Sequence, residues 1–127
     1  MFMPEESHKI AIIEDDSAIS QMYRIKFEAE GYTVDTAENG KIGLELIKSM
    51  KPDIVLLDLM MPVMRGDELL AELRASDWGK DQKVIILTNM GEQEAPDPIK
   101  RLNVIDFIVK ADMTPRQVAE LVKSKLS

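Results

Sequence analysis

Residues 9–20 read KIAIIEDDSAIS, and the break inside this stretch decides the fold. Ile10, Ala11, Ile12 and Ile13 form a run with no polar residue in it, the pattern of a strand covered on both faces. Glu14, Asp15 and Asp16 follow at once. Three like charges at the end of a buried strand are costly unless a cation, a helix end or solvent compensates them. Asp16 or Ser17 is placed to cap a helix over residues 17–30, with Gly31 as its stop. Glu14 and Asp15 are then left for a cation or for water.

The same alternation recurs along the chain. Further apolar runs at residues 32–36, 54–57, 84–87 and 107–109 read as strands. Between them lie amphipathic stretches. One covers 41–50 and ends before Pro52. Another starts at Gly66 or Asp67 and runs to residue 76. The fourth crossover carries Pro96 and Pro98, so its helix is expected to be late and short, from near that pair to near Asn103. The last helix has Thr114 as N-cap and Pro115 at its first position. Strand–helix alternation with buried strands and right-handed crossovers predicts a flavodoxin-like (βα)5 fold. This is a doubly wound parallel five-stranded sheet of order 2-1-3-4-5, with its ligand crevice at the carboxyl ends of strands one and three. DWGKD, at residues 77–81, is read as a loop in which Trp78 is either a partner contact or a half-buried plug, the plug being favoured.

The 127 residues suit one domain with a real core, about 8–126, and no output domain is expected in this chain. Hydrophobic content of 45% and charged content of 31% describe a globular protein. A net charge of -7 disfavours direct binding to nucleic acid or to an anionic membrane. The absence of cysteine removes disulfides, zinc–thiolate sites and thiol catalysis. The first residues, MFMPEESHK, lack the pattern of a signal peptide, and no apolar run approaches the roughly 20 residues that span a bilayer. A cytoplasmic location is expected.

The residues that follow each strand carry the chemistry. Glu14, Asp15 and Asp16 follow the first, Asp58 the third, Thr88 the fourth and Lys110 the fifth. In a parallel sheet these positions share one edge. Singly each has an ordinary explanation: acids after strands cap helices, and an Asp in LLDLMMP is more often a turn residue than a nucleophile. Two acids, a hydroxyl and an ammonium at one edge are a different matter. Magnesium takes oxygen ligands and is typically held by one or two carboxylates plus phosphate oxygens. Asp15 and Asp58 are candidates for direct ligands, with Glu14 holding a coordinated water. Asp58 also suits a nucleophile that forms an aspartyl-phosphate. Lys110 and Thr88 would then serve the phosphoryl oxygens. His8, the sole histidine, lies outside this set, which argues against zinc.

IAIIEDD, DIVLLDLMMPVMRGDELL, VIILT and FIVKAD, in this order and covering essentially the whole chain, resemble the response regulator receiver domain, the CheY-like phosphoacceptor module of two-component signalling. The resemblance implies that Glu14 and Asp15 are the acidic pair for Mg2+, with Mn2+ as its substitute, and that Asp58 is the phosphorylation site. It makes the Met60 backbone carbonyl the remaining metal ligand, Thr88 the switch hydroxyl, Lys110 the phosphate-binding lysine and Phe107 the switch aromatic. It further implies a histidine kinase or phosphotransfer protein as donor, a downstream protein target, a monomer or weak dimer, and no catalysis beyond the domain's own phosphorylation and dephosphorylation.

Four departures from the family pattern stand out, the last of them a pair of residues. Asn89 stands where a small residue is usual, Ala111 where proline is usual, and Asn103 where glycine is common; Pro96 and Pro98 disturb the fourth helix. Met60 and Met90 flank the expected path of attacking water, and apolar side chains there would slow loss of the phosphoryl group. Three other functions compete. A magnesium-dependent phosphatase would want a second Asp where Met60 stands. A flavin- or nucleotide-binding protein would want a Gly/Ser/Thr-rich loop in place of EDDSAIS. A receiver-like module that is never phosphorylated is disfavoured by the intact acid–Thr–Lys set.

Overall fold

The computed structural model describes residues 8–89 and 102–126. Strands β1 (Lys9–Ile13), β2 (Thr33–Ala37), β3 (Ile54–Leu57), β4 (Val84–Thr88) and β5 (Asp106–Val109) pair in parallel in the order β2-β1-β3-β4-β5. Four described α-helices cover them, α1 (Ser17–Ala29), α2 (Gly40–Met50), α3 (Gly66–Ala75) and α4 (Pro115–Leu126), and a short 3-10 helix, Lys110–Asp112, follows β5. The sheet order and helix placement are those expected from the alternation. The helix anticipated near Pro96 and Pro98 lies outside the described residues.

The uninterrupted apolar runs follow from burial on both faces. Successive strand side chains point to opposite sides. Ile10 and Ile12 join Tyr23 and Phe27 of α1 and Val118 and Val122 of α4 in one cluster. Ala11 and Ile13 join Ile47 of α2 and Leu69, Leu70 and Leu73 of α3 in the other. A polar residue anywhere from Ile10 to Ile13 would therefore be buried, so β1 carries its one polar side chain, Lys9, at its exposed first position, and the next comes only past Ile13.

Local chemistry sets the helix ends. The Asp16 carboxylate accepts from the Ala18 and Ile19 amides at 2.9 and 3.1 Å, which caps α1. Gly31, at φ 96°, turns the chain out of it. Thr114 and Gln117 cap α4 reciprocally, at 3.2 and 2.8 Å. Asn103 adopts φ 57°, the left-handed stop for which Asn substitutes best. Sequence reading overlooked Asn39, whose side chain accepts from the Ile42 amide at 2.9 Å and caps α2. It also overlooked Arg74, whose guanidinium donates to the carbonyls of Leu102, Gly79, Lys80 and Asn103. Burial lowers the pKa of that guanidinium, and the charge of Asp81 opposes the shift. Trp78 is half-buried as expected, with 43% of its surface exposed, and its side chain lines two clefts.

Residues 58–66 connect the end of β3 to α3 under tight constraint. The Gly66 amide donates to the Leu59 carbonyl at 3.0 Å. A Cβ on Gly66 would run into the Asp58 carbonyl oxygen and approach Leu59 Cα to 2.8 Å. Nearby, Met64 N donates to the Pro62 carbonyl at 2.7 Å across Val63, which has φ 69°. That is a γ-turn with positive φ, the strained form. Val63 is β-branched and 77% exposed, so burial does little to offset the strain.

Two substitutions in this loop should act in opposite directions in urea unfolding. Val63→Gly should raise stability by about 1 kcal/mol, because strain relief exceeds the added freedom of the unfolded chain. Gly66→Ala should lower it by about 1–3 kcal/mol through overpacking against Asp58 and Leu59. A destabilising Val63→Gly or a neutral Gly66→Ala would contradict this reading of the loop.

Candidate functional site

Strand register brings the sequence-distant polar residues together. Ile13 pairs with both Ala37 and Leu57, and Thr88 pairs with Val109. One residue past each pairing stand Glu14, Asp58 and Lys110. The ladder continues through the first two: Glu14 N donates to the Ala37 carbonyl at 2.9 Å, and Asp58 N to the Ile13 carbonyl at 3.0 Å. Their side chains leave the sheet at the same level, beside the start of α1.

The cluster is buried and highly charged. Glu14, Asp58 and Thr88 are only 5%, 6% and 1% exposed, whereas Asp15 is exposed. Lys110 donates to Glu14 Oε2 at 2.6 Å and to Asp58 Oδ2 at 3.4 Å. The other Glu14 oxygen accepts from the Asp16 amide at 3.2 Å, and Asp58 Oδ1 from the Met60 amide at 3.3 Å. Two buried carboxylates thus share one ammonium, and the ionisation states follow from that. Burial pushes the Glu14 carboxyl from 4.5 up to about 7; the Lys110 hydrogen bond resists the shift and the charge of Asp58 adds to it. For Lys110, burial disfavours the ammonium, but the hydrogen bond to Glu14 and the charge of Asp58 outweigh it and raise the pKa.

Glu14, Asp15 and Asp58 each present a carboxylate oxygen within 4.8 Å of the other two. Octahedral ligands about 2.1 Å from a magnesium ion lie about 3–4 Å from one another, so these oxygens need only small adjustments to surround one ion. The donor set is all oxygen and carries excess negative charge, which suits Mg2+ or Mn2+. A cleft of about 240 Å³ opens onto these acids, with Met60, Thr88, Asn89 and Lys110 on its walls.

Every strand-end residue singled out in the sequence therefore reaches one place. Phe107 does not line the cleft: it is half-buried and packs against the core cluster that holds Leu57 and Ile86. Met60 sits at the rim with 55% of its surface exposed. Met90 lies outside the described residues. His8 is remote from the acids, 4.0 Å from Asp53. The Lys110–Ala111 peptide is trans, as expected without proline. Tyr23 of α1, which the sequence did not single out, is 2% exposed and within electrostatic reach of Lys110 and Glu14. Burial raises the pKa of its hydroxyl, and the Lys110 charge moderates the rise.

Comparison with known proteins agrees with this geometry. Residues 10–123 match the sequence model of the response regulator receiver domain. The chain is 34% identical over 113 residues to the phosphate regulon transcriptional regulatory protein PhoB of Rhizobium meliloti (strain 1021), covering 89% of this chain and 50% of that protein. It is 34% identical over 118 residues to the transcriptional regulatory protein ResD of Bacillus subtilis (strain 168), covering 93% and 48% respectively. The chain spans about half the length of these curated relatives. Among solved structures, a CheY-like response regulator receiver domain protein from Methanospirillum hungatei JF-1 matches with a TM-score of 0.85 at 29% identity, over 94% of each chain. Fold, strand-end chemistry and relatives agree, and the chain belongs to the response regulator receiver domain family.

Proposed function

We propose that this chain is a phosphorylation-controlled signalling domain that accepts a phosphoryl group on Asp58 from a histidine kinase or phosphotransfer protein. The observation that carries this reading is the buried Lys110 ammonium, bonded at once to Glu14 and Asp58 beneath a cleft that Thr88 lines. Asp58 Oδ attacks phosphorus, the O–P bond forms, and the P–N bond to the donor imidazole breaks; the imidazole leaves and takes up a proton. Lys110 would turn from the carboxylates to a phosphoryl oxygen, and Thr88 would donate its hydroxyl to another. Glu14, Asp15, Asp58 and the Met60 carbonyl would hold the divalent cation. When bound, that ion supplies neutralisation of the carboxylates and of phosphoryl charge. The new dianion draws Thr88 inward, and Phe107 moves from its half-buried position into the space vacated, shifting the population between two packings. A cytoplasmic setting and a downstream protein target complete the reading; no described helix is long and apolar enough to cross a membrane.

Incubation with acetyl phosphate and Mg2+, followed by intact mass, should show a gain of one phosphoryl group. The gain should vanish without the ion and in Asp58→Asn. No gain in a folded protein that binds Mg2+ would favour an interaction module that is never phosphorylated. The apolar Met60 at the rim predicts slow hydrolysis once the group is on. Phosphate release should take minutes or longer, and a half-life of seconds would contradict that.

Glu14 also fixes a pH dependence. Its folded pKa lies above its unfolded value, so its contribution to stability is complete below about 4.5 and is lost as pH rises through about 7. Cation binding needs the ionised form and has the opposite trend. Calorimetric titration should find Mg2+ binding about tenfold weaker at pH 6 than at pH 8, with proton release on the acid side. Equal affinity at both values would contradict the buried state of Glu14.

A further inference from the structure

Two clefts lie on either side of Trp78, at the end of the sheet opposite the acidic cluster. One, of about 410 Å³, is walled by Asp53, Asp77, Asp81 and Lys83, and the other, of about 310 Å³, by Ile47, Lys48 and Lys51. Trp78, Pro52 and Gln82 are common to both. The face is bipolar. Asp77 and Asp81 make one flank acidic, and Lys83 there is already committed to the Lys125 carbonyl at 3.1 Å. The other flank is basic, with Lys48 Nζ lying 5.9 Å from the Trp78 ring centroid. Between them the indole is 43% exposed.

We propose that this face binds a second copy of the same chain across a two-fold axis at Trp78. An isologous interface requires a surface complementary to itself after a two-fold rotation. That rotation lays the Lys48 and Lys51 flank of one copy on the Asp77 and Asp81 flank of the other, at both ends of the contact, and sets indole on indole at the centre. Exposed Trp with flanking charge is the composition of an interface hot spot. A partner of different sequence would have to present the same bipolar pattern in reverse, whereas the chain's own surface already does. Each copy carries a net charge of -7, so association is weak and rests on this local pairing. The pairing is independent of Asp58, since it uses the opposite end of the sheet.

Sedimentation equilibrium up to about 0.5 mM chain, a range that detects weak interfaces, tests this. The wild type should dimerise, and Trp78→Ala should raise the dissociation constant at least tenfold. Lys48→Glu evens out the basic flank and Asp77→Lys evens out the acidic flank, so each variant alone should be at least tenfold weaker. Mixed in equal amounts they should dimerise at least as tightly as wild type, because every contact across the axis then pairs opposite signs. Both substitutions lie on exposed side chains, and unchanged thermal melting confirms that the fold is intact. A wild type that stays monomeric overturns the proposal and leaves the clefts to a partner of other sequence. A dimer indifferent to the charge changes, or a mixture that fails to recover, overturns it equally.

Discussion

The short contact between Lys110 and Glu14, with Asp58 as second acceptor, is the constraint on which the rest of this structure depends. The contact joins the ends of three strands. Its components are buried, and a buried carboxylate is tolerable only if paired. Two carboxylates sharing one ammonium leave the pairing incomplete. The site therefore has an unmet demand for positive charge, and burial, with the charge of Asp58 adding to it, raises the pKa of Glu14. On the proposed reading, a divalent cation would meet that demand, and a phosphoryl group on Asp58 would then compete for Lys110 and change its partners.

Everything around the cluster serves to hold it in register. The β1–β3 ladder sets Glu14 beside Asp58, and the β4–β5 ladder sets Thr88 one residue before Lys110. Gly66 leaves the Asp58 backbone room to turn, and the γ-turn at Val63 closes the loop at the cost of local strain. Burial on both sheet faces makes the register unforgiving, because a slip of one residue would exchange the side chains of the two core clusters. The same sheet separates two ends of different character. One end concentrates charge for chemistry, and the other presents Trp78 between flanks of opposite sign.

The fold and the chemical site were legible for physical reasons that can be named. Strands without polar interruption announce two-sided burial, and Asp16, Gly31, Thr114 and Pro115 are strong punctuation. Once the sheet was parallel, Glu14, Asp58, Thr88 and Lys110 had to share an edge. Other features were illegible because they arise only from assembly. Arg74 reads as an ordinary helix-surface cation, yet its four carbonyl partners come from two loops, one of them distant in sequence. Asn39, followed by Gly40, offered a capping signal that was there to be read. Val63 offered none, since a β-branched residue is the last to be expected at positive φ. Trp78 was legible as a half-buried loop aromatic, but the clefts on its two sides arise only from assembly.

Backbone amide spectra of the 15N-labelled chain, recorded with Mg2+ and then with added beryllofluoride as a non-hydrolysing phosphoryl mimic, test the central claim most directly. If the strand-end residues form one phosphoacceptor site, Mg2+ should shift the amides of Glu14, Asp15, Asp58 and Met60. Beryllofluoride should then shift Thr88, Phe107 and Lys110, and should do so only in the presence of the ion. Spectra unchanged at Thr88 and Lys110, with the fold intact and Mg2+ bound, would contradict the account.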